Sequence, residues 1–168
     1  MRKLAIVTVS LVALLMLSSA VYGEDTRHFQ ANLTGAQEVP PVTTQTEGEF
    51  TIRFNRDMTE AEFRLNVEDG VAVTMAHLHC APVGVNGPVV VFLFGMVPGG
   101  FDVDGRLAKF TLTNANITAV GANCVPTIGK QITNLAELAQ AMQEGKIYAN
   151  VHTVAHPGGE IRGLVQTD

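Results

Sequence analysis

Two neighbouring stretches alternate apolar and polar residues so regularly that they restrict the fold to an antiparallel sheet. Residues 49–55 carry Phe50, Ile52 and Phe54 on one side, and residues 60–67 repeat the pattern. Successive side chains of a strand point to opposite faces, so each stretch has one apolar and one polar face. The short polar connection between them predicts a β-hairpin. One face on a core and one in water is typical of antiparallel sheets.

The rest of the chain also has mostly strand character. Further strand-like stretches occupy residues 27–34, 71–79, 88–94, 106–112, 146–152 and 160–166, with a turn expected at 68–70 and a loop at 95–105. The run 88–94 is apolar throughout, so we expect it to be buried on both faces. Only residues 133–145 have helical spacing, at Leu135, Leu138 and Met142. Short strands and one short helix predict a mainly β fold, which we expect to be a Greek-key antiparallel β-sandwich.

Residues 1–23 have the pattern of a secretory signal peptide. Arg2 and Lys3 precede an uncharged apolar block at residues 4–17, and small residues follow it. The block is too short to span a bilayer comfortably, so we expect no membrane span after the leader is removed. Residues 24–168 then form one domain of ordinary size. The expected location is the periplasm or the outside of the cell.

The charge balance argues against nucleic-acid partners. The leader holds 2 of the 11 lysines and arginines, which leaves 9 against 16 aspartates and glutamates, a formal charge of −7. A surface of this sign repels nucleic acid and anionic membranes. We expect the partner to be an extracytoplasmic protein or a surface ligand, whose identity the sequence does not indicate.

Cys80 and Cys124 are the only cysteines of the chain. Exported proteins enter an oxidising compartment, so the pair is expected to form one disulfide. Two free thiols, or Cys80 as a metal ligand beside His79, are the alternatives that the sequence leaves open.

Four histidines form the strongest candidate for a chemical site. His77 and His79 lie two residues apart in a predicted strand, so their imidazoles share one face. His152 ends another predicted strand, and His156 follows it in a Pro-Gly-Gly turn. If the two regions are neighbours, these imidazoles suit copper or zinc. The alternative is that they are hydrogen-bonded histidines that anchor loop carbonyls, and the spacing does not decide between the two.

Catalytic residues are not indicated by the sequence. Residues 24–168 contain no serine, and no Gly-X-Ser-X-Gly, phosphate-loop or dinucleotide motif occurs. We therefore expect a protein that is not an enzyme. Glu38, in a Pro-Pro loop, and Arg162, on the last strand, are expected to form an ion pair with an architectural role.

Three motifs in this order resemble the CHRD, or chordin-type, domain. They are Gly-Ala-Gln-Glu-Val-Pro-Pro-Val at 35–42, His-Leu-His-Cys-Ala-Pro-Val-Gly-Val-Asn-Gly-Pro-Val at 77–89 and the segment 145–163 around Val-His-Thr-Val-Ala-His-Pro-Gly-Gly-Glu-Ile-Arg. The likeness extends from about Phe29 to Val165. It implies an extracytoplasmic β domain and no particular substrate. The growth-factor binding of chordin belongs to a multidomain animal protein and is not carried over to this chain.

A weaker likeness is to the sandwich of Cu/Zn superoxide dismutase, beside the general immunoglobulin-like architecture. On this likeness His77, His79 and His152 correspond to copper ligands. The chain lacks a recognisable zinc loop and the arginine-bearing C-terminal loop of that family, so dismutase activity is not implied. The sequence thus favours an exported, non-enzymatic CHRD binding or structural module. The alternative is a periplasmic copper- or zinc-binding protein that uses the histidine cluster, either with or without redox activity.

Overall fold

A computed structural model describes residues 27–118 and 123–168, and the predicted leader lies outside the described residues. Within these ranges the elements are β1 (His28–Thr34), β2 (Glu47–Phe54), β3 (Glu60–Cys80), β4 (Val89–Phe94), β5 (Phe101–Thr113), α1 (Val125–Ile128), α2 (Leu135–Gln143), β6 (Ile147–Thr153), β7 (Ile161–Leu164) and β8 (Gln166–Thr167). The prediction of a mainly β fold is confirmed. There are two helices rather than one, and α1 is only a single turn.

Strand β3 is the longest element and organises the sheet. It replaces two predicted strands, because residues 68–70 continue the strand instead of turning it back. Asp69 and Ala72 adopt positive φ, at 51° and 49°, and the register with β5 shifts on both sides of Gly70. Such bulges bend a strand and increase its twist. The two halves of β3 therefore reach different partners.

The sheet closes on itself into a barrel-like arrangement. The strands follow the order β2, β1, β7, β6, β3, and β3 pairs back with β2. The predicted β2–β3 hairpin is confirmed by this pairing. At the other edge of β3, β5 pairs with the first half and β4 with the second. All eight described strands belong to one sheet, which differs from the two packed sheets of the expected Greek-key sandwich.

The inner face of the sheet forms the apolar core together with helix α2. The helix begins after Asn134, whose side chain accepts a hydrogen bond from the Glu137 N–H, and it buries Leu135, Leu138 and Met142 as its spacing predicts. Strand β4 differs from expectation, since Phe92 is 54% exposed. Strand β5 starts five residues earlier than the predicted one, within the region expected to be a loop. The largest buried side chains of the sheet include Phe29, Leu33, Phe50, Phe54, Phe63, Leu65 and Leu78.

The disulfide between Cys80 and Cys124 is confirmed, with 5.9 Å between the two Cα atoms. It joins the end of β3 to the residue that precedes α1. Thr127 strengthens the same junction, because its hydroxyl lies 2.8 Å from the Cys80 carbonyl oxygen. Both thiols are used in the bond, so neither free thiols nor a Cys80 thiolate ligand occur.

The outer face of β3 and β6 is covered by loops, and this is where the candidate site lies. Ala76 and Leu78 of β3 point into the core, as do Ala149 and Val151 of β6. The residues between them must therefore point outward. Every residue of β6 is nonetheless buried. The loops 35–46, 81–88 and 154–160 supply the contacts on that outer side.

Candidate metal centre

Three histidines meet on the outer face of β3 and β6. His77 and His79 come from β3 and His152 comes from β6, and their candidate ligand atoms all lie within 4.8 Å of one another. The antiparallel register brings the strands together, since Met75 is opposite His152 and His79 is opposite Tyr148. All three imidazoles are buried. The structure thus brings together three of the four histidines that the sequence singled out.

The distance between two of these imidazoles suits a shared ion. Nδ1 of His77 lies 3.0 Å from Nε2 of His152. Two nitrogens that each lie about 2.0–2.1 Å from one ion, at an angle of 90–110°, are about 2.9–3.4 Å apart. The same distance also fits a hydrogen bond between one protonated and one unprotonated ring nitrogen. The arrangement is therefore stable as it stands and compatible with a bound metal.

Backbone carbonyls orient two of the rings. Nδ1 of His79 lies 2.9 Å from the carbonyl oxygen of Gly87, and Nδ1 of His152 lies 3.0 Å from that of Pro157. A carbonyl oxygen only accepts, so both Nδ1 atoms carry the proton and donate. Each Nε2 is left with a lone pair. Fixing one ring nitrogen in this way is how proteins prepare the other one for a metal.

Burial keeps the cluster neutral. It is the largest cause that lowers the pKa of His77 to about 3, and the neighbouring His152 and His79 lower it further. Burial also lowers the pKa of His79 to about 4, although its bond to the Gly87 carbonyl acts in the opposite direction. The pKa of His152 is lowered as well, first by burial and then by the charge of Arg162. Neutral imidazole is the form that binds metals.

Two nitrogens of the cluster have no hydrogen-bond partner. Among the described residues, Nε2 of His77 and Nε2 of His79 are buried side-chain atoms without one. Buried polar atoms in native proteins are nearly always satisfied, so exceptions call for an explanation. Nδ1 of His79 already donates to the Gly87 carbonyl, so its Nε2 carries a lone pair that is explained most simply as a position for a cation.

Two aromatic side chains hold the ring planes. Tyr148 stacks on His79 with ring centroids 4.9 Å apart and an interplanar angle of 6°. Phe92 meets His77 edge to face at 4.5 Å. The Tyr148 hydroxyl accepts from the N–H of Gly87, the residue whose carbonyl also binds His79. A side chain on Gly87 would lie 2.1 Å from the Cys80 carbonyl oxygen, so only glycine fits there.

Glu38 and Arg162 lie in contact beside this cluster. Their side chains are 3% and 7% exposed, and Nε of Arg162 donates to Oε2 of Glu38 at 2.7 Å. The guanidinium carbon lies 4.4 Å from the centre of the Tyr148 ring, on which His79 also stacks. Asn150, between them on β6, donates to the other Glu38 oxygen. The pair connects the first loop to the sheet at the edge of the histidine cluster.

His156 does not join the cluster. It lies in the 154–160 turn, where its N–H donates to the Thr153 hydroxyl and its carbonyl accepts from the Gly159 N–H.

The sequence did not reveal the role of Glu160, which is buried and accepts from three threonine hydroxyls: Thr44, Thr46 and Thr153. These bonds hold the Pro-Pro loop against the turn that carries Pro157. The threonine-rich stretch after the two prolines was the available signal, but hydroxyl ligands of a carboxylate have no recognisable spacing.

The fold and the site together define a mainly β domain with a candidate metal centre of three buried histidines. The family model of the CHRD domain matches residues 29–165, and the chain belongs to this family. The resemblance found in the three sequence motifs is thereby confirmed. A search of curated proteins and a search of solved structures each gave no match. Within residues 27–118 and 123–168, no helix has the length and apolar character needed to cross a membrane.

Proposed function

We propose that this CHRD domain is an exported, non-enzymatic binding module whose ligand is a copper or zinc ion held by His77, His79 and His152. The observation that carries the proposal is the convergence of one ring nitrogen from each of three buried histidines, all within 4.8 Å of one another, with Nε2 of His79 buried and without a hydrogen-bond partner. The other two ligand atoms are Nδ1 of His77 and Nε2 of His152, which lie 3.0 Å apart; Nε2 of His152 is unprotonated because its Nδ1 donates to the Pro157 carbonyl.

The donor set favours these metals over others. Imidazole nitrogens suit zinc, copper and nickel, whereas calcium and magnesium require oxygen ligands. The cluster that the described residues form contains three histidines and no carboxylate. Copper and zinc are therefore the ions to test first. They are also the ions that the histidines in the sequence predicted.

Export is supported by the leader pattern and by the disulfide. Residues 1–23 have the charged, apolar and small regions of a signal peptide. The Cys80–Cys124 bond is of the kind that persists in oxidising compartments. The mass of the protein recovered from the periplasm or the medium tests this part, because cleavage after residue 23 leaves a chain that starts at Glu24.

A second ligand class fits the surface beside the metal centre. A cleft of about 520 Å³ separates the Pro-Pro loop from the turn and is lined in part by Val39, Pro40, Pro41, Asn86, His156 and Pro157. Exposed prolines in a pre-shaped loop are a low-entropy contact surface for a protein or surface ligand outside the cytoplasm. Pull-down with a Pro40→Ala/Pro41→Ala variant as the comparison tests this candidate.

Metal analysis and thermal unfolding test the main proposal. The wild type should hold one ion per chain, and Cu²⁺ or Zn²⁺ at about 100 times its Kd should stabilise the fold by about 2.7 kcal/mol. For a domain of this size that corresponds to roughly 5–10 °C in Tm. The His77→Ala/His79→Ala variant should lose both effects, and His156→Ala is the matched control that should keep them. No stoichiometric metal and an unmoved Tm in the wild type would overturn the proposal.

A further inference from the structure

A methionine borders the histidine cluster on the outer face of β3. Met75 lies two residues before His77, and in a regular strand this spacing places both side chains on one face. In the register with β6, Met75 is directly opposite His152. Residues that face each other in this way have Cβ atoms about 4.5–5.5 Å apart. The Met75 side chain therefore lies beside His152 and His77 on the face that carries the cluster.

The position of Met75 is set by an irregularity in the strand. Val73 is in the core, and strict alternation from Val73 would put residue 75 there as well. The register with β6 shifts between Val73 and Met75, and residue 76 takes the core position instead. A bulge of this kind re-aims the side chains that follow it. An apolar residue is thus turned towards the polar face that carries the histidines.

Packing in the core does not account for Met75. It is half-buried, and it belongs neither to the core cluster nor to the partly buried apolar residues that pack against the core. On the outer face its strand neighbour His77 packs edge to face against Phe92. Met75 therefore lies on the face of β3 that carries the histidines, outside the apolar core.

We propose that Met75 supplies the fourth ligand and that the centre is selective for Cu(I) over Zn(II). This inference rests on the proposed metal-binding function. A thioether is a soft ligand that Cu(I) accepts and Zn(II) rarely takes. Three neutral imidazoles and a neutral thioether also leave the full charge of the ion uncompensated. The cost of burying a charge rises with its square, so this site favours a monovalent ion.

Competition titrations test the selectivity. Cu(I), prepared anaerobically with ascorbate so that the disulfide stays intact, is titrated against a coloured Cu(I) chelator, and Zn(II) against a coloured zinc chelator. Met75→Leu keeps the volume and removes the sulfur, and it should weaken Cu(I) binding about tenfold or more while Zn(II) binding changes less than twofold. Met58→Leu is the matched control, because Met58 lies in the β2–β3 connection and packs against the core. It should change neither affinity.

X-ray absorption of the Cu(I)-loaded wild type tests whether the Met75 sulfur binds copper, and it does not require any variant to fold. A copper–sulfur scattering shell beside the nitrogen shell supports Met75 as a ligand. Its absence, or a Met75→Leu variant that binds Cu(I) like the wild type, overturns the Met75 inference while leaving the histidine centre in place. Failure of the wild type to bind either ion overturns the proposed function itself.

Discussion

Replacing Arg162 by methionine removes the buried cation that faces Glu38 and keeps most of the apolar volume of the side chain. In the folded protein Arg162 makes two contacts of 2.7 Å with the Glu38 carboxylate, one from Nε and one from an Nη atom. It also donates to the Asn86 side chain and lies over the Tyr148 ring. After the change, Glu38 keeps the Asn150 amide as its remaining side-chain donor among the contacts described.

The expected loss of stability follows from burial. Removing one partner of a buried ion pair leaves an uncompensated charge and costs about 3–5 kcal/mol, whereas an exposed pair contributes about 0–1 kcal/mol. The side chains of Glu38 and Arg162 are 3% and 7% exposed, so the larger range applies. For a domain of this size we expect Tm to fall by roughly 6–20 °C.

Urea unfolding followed by circular dichroism, with the disulfide intact, measures the effect. The matched control is Lys109→Met, which breaks the exposed pair between Lys109 and Glu62, 3.2 Å apart. The double variant Glu38→Gln/Arg162→Met removes both charges, and it should be more stable than Arg162→Met alone. If Arg162→Met costs no more than Lys109→Met, or if the double variant loses the sum of the two single changes, the pair does not have the architectural role assigned to it.

Three further outcomes are expected. The metal-free protein should lose stability as the pH falls from 6.5 towards 4, because the pKa of His79 is lowered from 6.5 to about 4 and the unfolded chain binds the proton more readily. The slope of the unfolding free energy for this one group is at most about 1.4 kcal/mol per pH unit. Urea unfolding of the wild type and of His79→Ala at several pH values measures it. Thr153→Val should cost about 1–3 kcal/mol in urea unfolding, since it removes a hydroxyl that donates to the buried Glu160 carboxylate, and Thr153→Ser should restore most of that. Gly87→Ala should displace the 81–88 loop, because its Cβ would lie 2.1 Å from the Cys80 carbonyl oxygen. The Gly87 carbonyl orients His79, so we expect metal affinity to fall by about 10–100-fold when it moves. A variant that binds metal as tightly as the wild type would contradict this role.

In the regularly alternating segments, the direction in which the side chains point was accessible from the sequence. Alternation in residues 49–55 and 60–67 predicted the β2–β3 hairpin, and the spacing of His77 and His79 predicted that they share one face. Both follow from the two-residue period of a strand, which is a local property. The helix α2 was predicted for the same kind of reason, from its 3.6-residue period.

Strand partners were not accessible in this way. Nothing local to β3 or β6 indicates that they are neighbours, although this pairing is what brings His152 to His77 and His79. The expected turn at 68–70 was wrong because Gly70 and the positive φ of Asp69 also suit a bulge in a continuing strand. The bend lets one strand serve both parts of a single closed sheet, where two packed sheets had been expected.

The double pairing of β3 determines where the proposed metal centre can open. The first half of β3 is paired with β2 and β5, and the second half with β6 and β4, so the strand has a partner on both edges along most of its length. Freeing His77 and His79 therefore requires a disruption close to global unfolding, whereas the 154–160 turn that holds His152 through Pro157 is a loop and opens at lower cost. An ion that enters or leaves the folded protein should therefore pass on the side of the turn, where opening removes the Pro157 contact of the His152 ring while all three histidines stay anchored in their strands.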